Sequence, residues 1–192
     1  AAFIHTCHTL YEQYTKYVPM GKYLGPAAVA AYMRWRLRPV DRIITPTKKV
    51  ERTFLSYGVE KKTAIIPTGI QLKQFSAPIP GDILSEIRKE CKIGPDVRIV
   101  LSLGRLGFEK QVDELLRGWK EADISGQEAI LLIVGGGPAE DSLRRLAGEL
   151  GLEKQVYFYG MAEPKIVPAF YRMADLFVCA STSETQGLTY VE

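Results

Sequence analysis

Ala129-Ile130-Leu131-Leu132-Ile133-Val134-Gly135-Gly136-Gly137-Pro138 sets six apolar residues in a row against three glycines. A short apolar run closed by glycine reads as a strand covered on both faces. Pro138 suits the first turn of a following helix, where a missing N–H costs nothing. Leu143, Leu146, Ala147 and Leu150 then recur on one helical face, and Gly151 stops the helix. The stretch is a strand, a glycine turn and a helix.

The same unit recurs on both sides. Val97-Arg98-Ile99-Val100-Leu101-Ser102-Leu103 reads as a buried strand closed by Gly104, and Val112, Leu115, Leu116 and Trp119 mark one face of the helix after it. Val156-Tyr157-Phe158-Tyr159, a helix near 164–173 and Leu176-Phe177-Val178-Cys179 continue the series. Strand–helix alternation with short glycine turns predicts an α/β fold with a doubly wound parallel sheet. The N-terminal part reads as a portion of a similar unit. Phe3-Ile4-His5-Thr6 and Arg42-Ile43-Ile44-Thr45 are strands, with helices over about 27–38 and 47–57. Pro67-Thr68-Gly69, then Pro78, Pro80 and Gly81, punctuate the chain as a linker does. The predicted organisation is 1–68 for the end of a first domain, 69–95 for a linker and first helix, and 96–192 for a second domain.

The composition, 46% hydrophobic and 24% charged over 192 residues, is that of an ordinary globular protein. No apolar run approaches the roughly 18 residues of a membrane-spanning helix, and the start does not resemble a signal peptide. Cys7, Cys91 and Cys179 are odd in number and form no CxxC pair, which favours a reducing, cytoplasmic setting. The net charge of +3 conceals an asymmetry, with +7 over residues 1–68 and −4 over 69–192. Such a division attracts an anionic surface to one side only. The chain opens without Met and stops on Glu192, where a helix is expected to begin, so the expectation is a piece of a longer protein, cut at both ends.

Two segments carry the chemistry. Gly104-Arg105-Leu106-Gly107-Phe108-Glu109-Lys110 sets two cations five positions apart at the carboxyl end of a strand, where open α/β sheets bind ligands. A planar Arg fork grips phosphate in two places, and Lys adds a mobile point charge. The same spacing also fits two solvated charges at an ordinary turn. Ser183-Glu184-Thr185-Gln186-Gly187-Leu188-Thr189-Tyr190-Val191-Glu192 places two carboxylates eight positions apart around a glycine turn. Free amides at a helix N-terminus there suit phosphate and sugar oxygens, although a first-turn glutamate is also favoured by the helix dipole alone. A diphosphate sugar needs both segments: cations for its phosphates, carboxylates for its hydroxyls, and amides between them. Gly135-Gly136-Gly137 is a poor dinucleotide fingerprint, because the last position of GxGxxG is Glu140. His5 and His8 lack the further ligands a metal site requires.

At these two segments the chain resembles the family 4 retaining glycosyltransferases of the GT-B fold, in which two Rossmann-like domains face a cleft. The resemblance covers nearly the whole chain. It implies that Arg105 and Lys110 neutralise the donor diphosphate, that Glu184 meets the sugar hydroxyls and that Glu192 meets the ribose. It also implies donor contacts from Gly104, Met161, Thr185, Gln186, Gly187 and Leu188, with Gly160-Met161 backbone at the nucleotide base. His8, just after the first strand, is implied to reach the transferred sugar. The catalytic set is then His8, Arg105, Lys110 and Glu184. No Asp-x-Asp pair is present, so metal-independent transfer from a nucleotide sugar, with no other cofactor, is the expectation.

His8-Thr9-Leu10-Tyr11-Glu12-Gln13-Tyr14 and Ser181 through Tyr190 look most like bacterial enzymes that glucosylate diacylglycerol. Many family members carry Phe where this chain has Gln186, a departure shared with that subgroup. The likeness implies UDP-glucose as donor, a lipid acceptor, an anionic membrane surface as partner, and a peripheral location on the inner face of the cell membrane. Lys16, Tyr17, Lys22, Tyr23 and then Met33, Arg34, Trp35, Arg36 and Arg38 interleave cations with aromatics. That pattern suits an interfacial helix or a solvated face, and no nucleic-acid motif accompanies it. The rival readings are a polysaccharide or other non-lipid acceptor, a non-catalytic sugar-nucleotide-binding protein, and an NAD oxidoreductase. Little transfer is expected from these 192 residues alone, because catalysis needs a cleft between two complete domains.

Overall fold

The computed structural model describes residues 1–17, 25–122 and 128–192. Lys22 and Tyr23 of the basic–aromatic stretch lie outside these, as does the side chain of Lys16. The chain divides into two compact units, Ala1–Ile70 with Ser183–Leu188, and Gln71–Thr182 with Thr189–Glu192.

The first unit holds a three-stranded parallel sheet, ordered β1-β2-β3, from β1 (Ile4–Thr6), β2 (Arg42–Thr45) and β3 (Lys62–Ile65). A 3-10 helix at Tyr11–Tyr17 and helices α1 (Pro26–Arg36) and α2 (Lys48–Ser56) accompany it. α1 begins at a proline and buries Val29 and Met33, one turn apart. α2 begins at Thr47, whose hydroxyl accepts the Val50 amide at 3.4 Å, and buries Val50 and Phe54 at the same spacing. Gly58 ends it in the left-handed region at φ 74°, so that Val59 N–H reaches back to the Phe54 carbonyl at 3.1 Å. These side chains join Cys7, Leu10, Leu37 and Ile43 in one core.

The second unit holds a four-stranded parallel sheet ordered β6-β5-β4-β7, from β4 (Arg98–Leu103), β5 (Ala129–Val134), β6 (Val156–Gly160) and β7 (Leu176–Phe177). Helices α3 (Lys73–Ser76), α4 (Gly81–Glu90), α5 (Val112–Glu121), α6 (Glu140–Glu149) and α7 (Val167–Met173) complete it. Leu131 and Ile133 pack with Leu116, Trp119 and Leu143 of α5 and α6 on one face. Leu132 and Val134 pack with Ile87, Phe170 and Met173 of α4 and α7 on the other. β5 is apolar throughout because both of its faces are covered. Each fully buried aliphatic side chain contributes about 1.5–3 kcal/mol to that packing.

Two local expectations differ from what is seen. β7 pairs over only two residues, Leu176 and Phe177, where four apolar residues predict a longer strand. Within the expected second domain, 96–192, the segment Ser183–Leu188 groups with the first unit, while Gln71 and the residues after it group with the second.

Candidate functional site

In the second unit the strand order places the ends of β4, β5 and β6 side by side, and the turns leaving them make the site. Gly104 donates its amide to the Val134 carbonyl at 2.9 Å, and Leu106 donates to the Gly136 carbonyl at 2.9 Å. The Ala139 amide in turn reaches the Leu106 carbonyl at 3.0 Å, so the two turns are zipped together beyond the sheet. This close approach explains the glycines. A side chain on Gly135 would overlap the Gly104 carbonyl oxygen and stand 2.9 Å from its carbon, and Gly135 itself adopts φ 131°.

These turns line an open cavity of about 200 Å³. Its lining includes Gly104, Arg105, Gly135 and Gly136, with Met161 and Ala162 from the turn after β6. Three of the residues expected to meet a donor, Gly104, Arg105 and Met161, therefore share one pocket at the carboxyl edge of the sheet. Arg105 is half-exposed, and its Nη2 donates to Glu109 Oε1 at 2.6 Å. Glu109, by contrast, is only 3% exposed, a buried carboxylate that the sequence presents as one more charge in a polar turn. Lys110 closes the 3-10 turn at Phe108–Lys110, its amide bonded to the Gly107 carbonyl at 3.0 Å. Gln111, in the left-handed region at φ 51°, then turns the chain into α5.

Glu192 lies in the same unit, where its Oε2 accepts the Tyr171 hydroxyl at 2.8 Å. Tyr171 sits on α7 among Phe75 and Phe177, and burial first, then the hydrogen bond to Glu192, pushes its hydroxyl pKa well upward. The tyrosine thus stays a proton donor to the Glu192 carboxylate.

The remaining expected residues gather in the first unit. The Cys7 amide bonds the Ile44 carbonyl at 2.9 Å and its side chain is buried, which sets the exposed His8 just past the end of β1. His8 Nδ1 lies 3.4 Å from Thr68 Oγ1. The turn carrying Glu184 is tied down residue by residue. Lys49 Nζ donates to the Glu184 carbonyl at 2.9 Å, and Thr47 Oγ1 donates to the Thr185 carbonyl at 2.8 Å. Thr185 Oγ1 donates to the His8 carbonyl at 3.4 Å. Gln186 engages Thr68 twice: its Oε1 accepts the Thr68 amide at 2.8 Å, and its Nε2 donates to the Thr68 carbonyl at 2.9 Å. Gly187, at φ 69°, turns the chain away toward Leu188. His8, Glu184, Thr185, Gln186 and Gly187 are thus assembled together. These bonds are why Ser183–Leu188 groups with the first unit.

Thr47, Lys49 and Thr68 belong to this assembly and were not expected there. Thr68 falls within the Pro67-Thr68-Gly69 linker signal. His5 points elsewhere: burial first, and Arg36 second, lower its pKa, and its Nε2 is buried without a hydrogen-bond partner among the described residues. No group of three or more His, Cys, Asp and Glu side chains among the described residues could hold a metal ion. No helix among them is long and apolar enough to cross a membrane. On α1, Tyr32 and Trp35 are exposed with ring centroids 6.1 Å apart, beside exposed Arg34 and Arg36.

Residues 85–192 match the family described as Glycosyl transferases group 1, and residues 1–74 match that described as Glycosyltransferase Family 4. The chain is 36% identical to an alpha-monoglucosyldiacylglycerol synthase of Streptococcus pneumoniae over 190 residues, covering 98% of this chain and 43% of that protein. It is 29% identical to the protein of the same name from Acholeplasma laidlawii, covering 98% of this chain and 49% of the relative. The chain therefore spans about half the length of these relatives. Among solved structures, HepE of Anabaena, crystallised with UDP and glucose, superimposes with a TM-score of 0.76 at 19% identity, over 99% of this chain and 49% of that one. The fold is that of the GT-B glycosyltransferases.

Proposed function

Because the chain belongs to the glycosyl transferases group 1 family, we propose that its parent protein transfers glucose from UDP-glucose to diacylglycerol, retaining the anomeric configuration without a metal ion. The observation that carries the donor half is Arg105 on the wall of the cavity at the carboxyl ends of β4, β5 and β6. A guanidinium there meets a diphosphate whose uridine enters the mostly apolar pocket beside Met161 and Ala162. The acceptor half is supported by the monoglucosyldiacylglycerol synthases, which match through nearly the whole chain.

The reaction breaks the bond between the anomeric carbon and the UDP oxygen and forms one to the acceptor hydroxyl on the same face. The departing phosphate oxygen takes the acceptor's proton. Arg105 and Lys110 stabilise the negative charge that grows on the leaving diphosphate, a role worth about 3 kcal/mol per donor. His8 and Glu184 hold the sugar, and Glu192, kept in place by Tyr171, accepts from the ribose hydroxyls. Tyr32, Trp35 and the arginines of α1 suit headgroup depth on an anionic bilayer, where each cation adds about 1 kcal/mol. On this reading the protein lies peripherally, on the inner face of the cell membrane.

Calorimetric titration with UDP, GDP and NAD, with and without magnesium, tests the donor. Selective, magnesium-independent UDP binding is the expected result. Glucose transfer from UDP-glucose to diacylglycerol vesicles by the full-length protein tests the acceptor. Preference for GDP or NAD, or transfer only to a water-soluble acceptor, would overturn the corresponding half.

A further inference from the structure

We infer that Glu109 is a positioning residue for Arg105: a buried carboxylate that fixes the guanidinium at the donor cavity. The inference rests on the donor reading above. A half-exposed arginine samples many rotamers, and a side chain that must grip a diphosphate loses that freedom on binding. Glu109 removes much of it beforehand. Its side chain is 0% exposed, and its Oε1 accepts from Arg105 Nη2 at 2.6 Å, while that arginine side chain remains 46% exposed. A carboxylate is costly to bury unless a charged partner compensates, so its burial beside Arg105 follows from the pairing rather than from packing.

The loop is shaped around this pair. The Gly107 amide bonds the Arg105 carbonyl at 2.9 Å, and the Lys110 amide bonds the Gly107 carbonyl at 3.0 Å. Together they fold residue 109 back toward residue 105. A Cβ on Gly107 would stand 2.6 Å from Glu109 Cδ and overlap its oxygens, so the carboxylate fills the space that glycine leaves. The Nη2 donor of the Arg105 guanidinium is directed inward to Glu109. The planarity of the group then fixes the direction of the others. Glu109 touches neither donor nor acceptor in this scheme and acts through Arg105.

A double-mutant cycle in the full-length protein tests this, with calorimetric UDP affinity and steady-state turnover on UDP-glucose as readouts. Glu109→Ala should weaken UDP binding or turnover about 10- to 100-fold, the scale set by an ångström of misplacement in a binding clamp. Glu109→Gln keeps an acceptor in the same shape and should recover part of the loss. It also serves where the alanine variant does not fold. In an Arg105→Ala background both substitutions should change UDP affinity less than about twofold, since additivity fails for residues acting as one unit. Equal losses in both backgrounds, in a wild-type protein that binds UDP, would overturn the positioning role alone. A wild-type protein that binds no UDP would overturn the donor reading and this assignment with it.

Discussion

Replacing Gly135 by alanine should destabilise the second unit far more than the addition of one methyl group to a surface turn suggests. Two costs combine. At φ 131° a residue with a Cβ is strained by about 1–3 kcal/mol. The methyl would also stand 2.9 Å from the Gly104 carbonyl carbon and overlap its oxygen, and both neighbours are backbone. Backbone here cannot give locally, because Gly104 N–H holds the Val134 carbonyl at 2.9 Å, Leu106 N–H holds that of Gly136 at 2.9 Å, and Gly135 N–H holds that of Gly160 at 2.7 Å. Moving the turns apart breaks at least two of these bonds, each worth about 0.5–1.5 kcal/mol net. The sum is about 2–6 kcal/mol, a large part of the 5–15 kcal/mol typical of a folded domain. The two tryptophans make the measurement local: Trp119 is buried in the second unit, and Trp35, in the first, is 62% exposed. Urea unfolding followed by Trp119 fluorescence should show the midpoint lowered by about 1–3 M, given a slope near 2 kcal/mol per M. Gly118→Ala is the contrasting control. That glycine lies in the middle of α5, with open space at its Cβ position, so alanine should stabilise by about 0.5–1 kcal/mol. An unchanged midpoint for Gly135→Ala alongside a raised one for Gly118→Ala would refute the argument from close approach.

Lys110→Ala in the full-length protein should lower turnover about 100-fold, equivalent to about 3 kcal/mol, with circular dichroism unchanged; undiminished turnover would remove Lys110 from the diphosphate site. Gln186→Ala leaves the Thr68 amide and carbonyl without their side-chain partners and should cost about 1–3 kcal/mol, read as a lower urea midpoint together with reduced turnover. Turnover equal to wild type would show that the Gln186–Thr68 bonds do not support the turn carrying Glu184. Asp175 accepts the Ile99 amide at 2.8 Å and pairs with Arg98 at 3.0 Å, and the amide first, then the arginine, holds its pKa below the ordinary carboxylate range. A depressed native pKa stabilises the fold above the unfolded value of about 3.9, and that contribution is lost as pH falls through the native value. Unfolding midpoints between about pH 2 and 6 should therefore decline less steeply in acid for Asp175→Asn than for the wild type; parallel curves would contradict the linkage.

What was legible in the sequence, and what was not, follows from the range over which each interaction acts. β5 could be read because a strand covered on both faces must be apolar at every position from Ala129 to Val134. Arg105 could be placed because a parallel strand delivers its next residues to the sheet's carboxyl edge. The 3-10 turn at Leu188–Tyr190 could not be read, since a glycine turn carries no signal for the geometry of the turn after it. The burial of Glu109 was illegible for a different reason. A glutamate between Phe108 and Lys110 looks solvated, and only the missing Cβ of Gly107, seen in three dimensions, opens the space it occupies.

The assembly around Glu184 lies further still from local reading. Gln186 meets Thr68 across 118 residues, and Lys49 meets Glu184 across 135, through backbone atoms that carry no residue-type signature. A side chain that bonds to a backbone amide and carbonyl imposes no identity on its partner, so no motif at residue 68 could announce it. Gln stands at 186 where many members of the resembled family carry Phe. Its amide supplies two directional bonds where a ring would supply contact area, and directional bonds fix the orientation of a turn as well as its position. On the proposed role of Glu184 at the donor sugar, the turn that carries it is served by that difference.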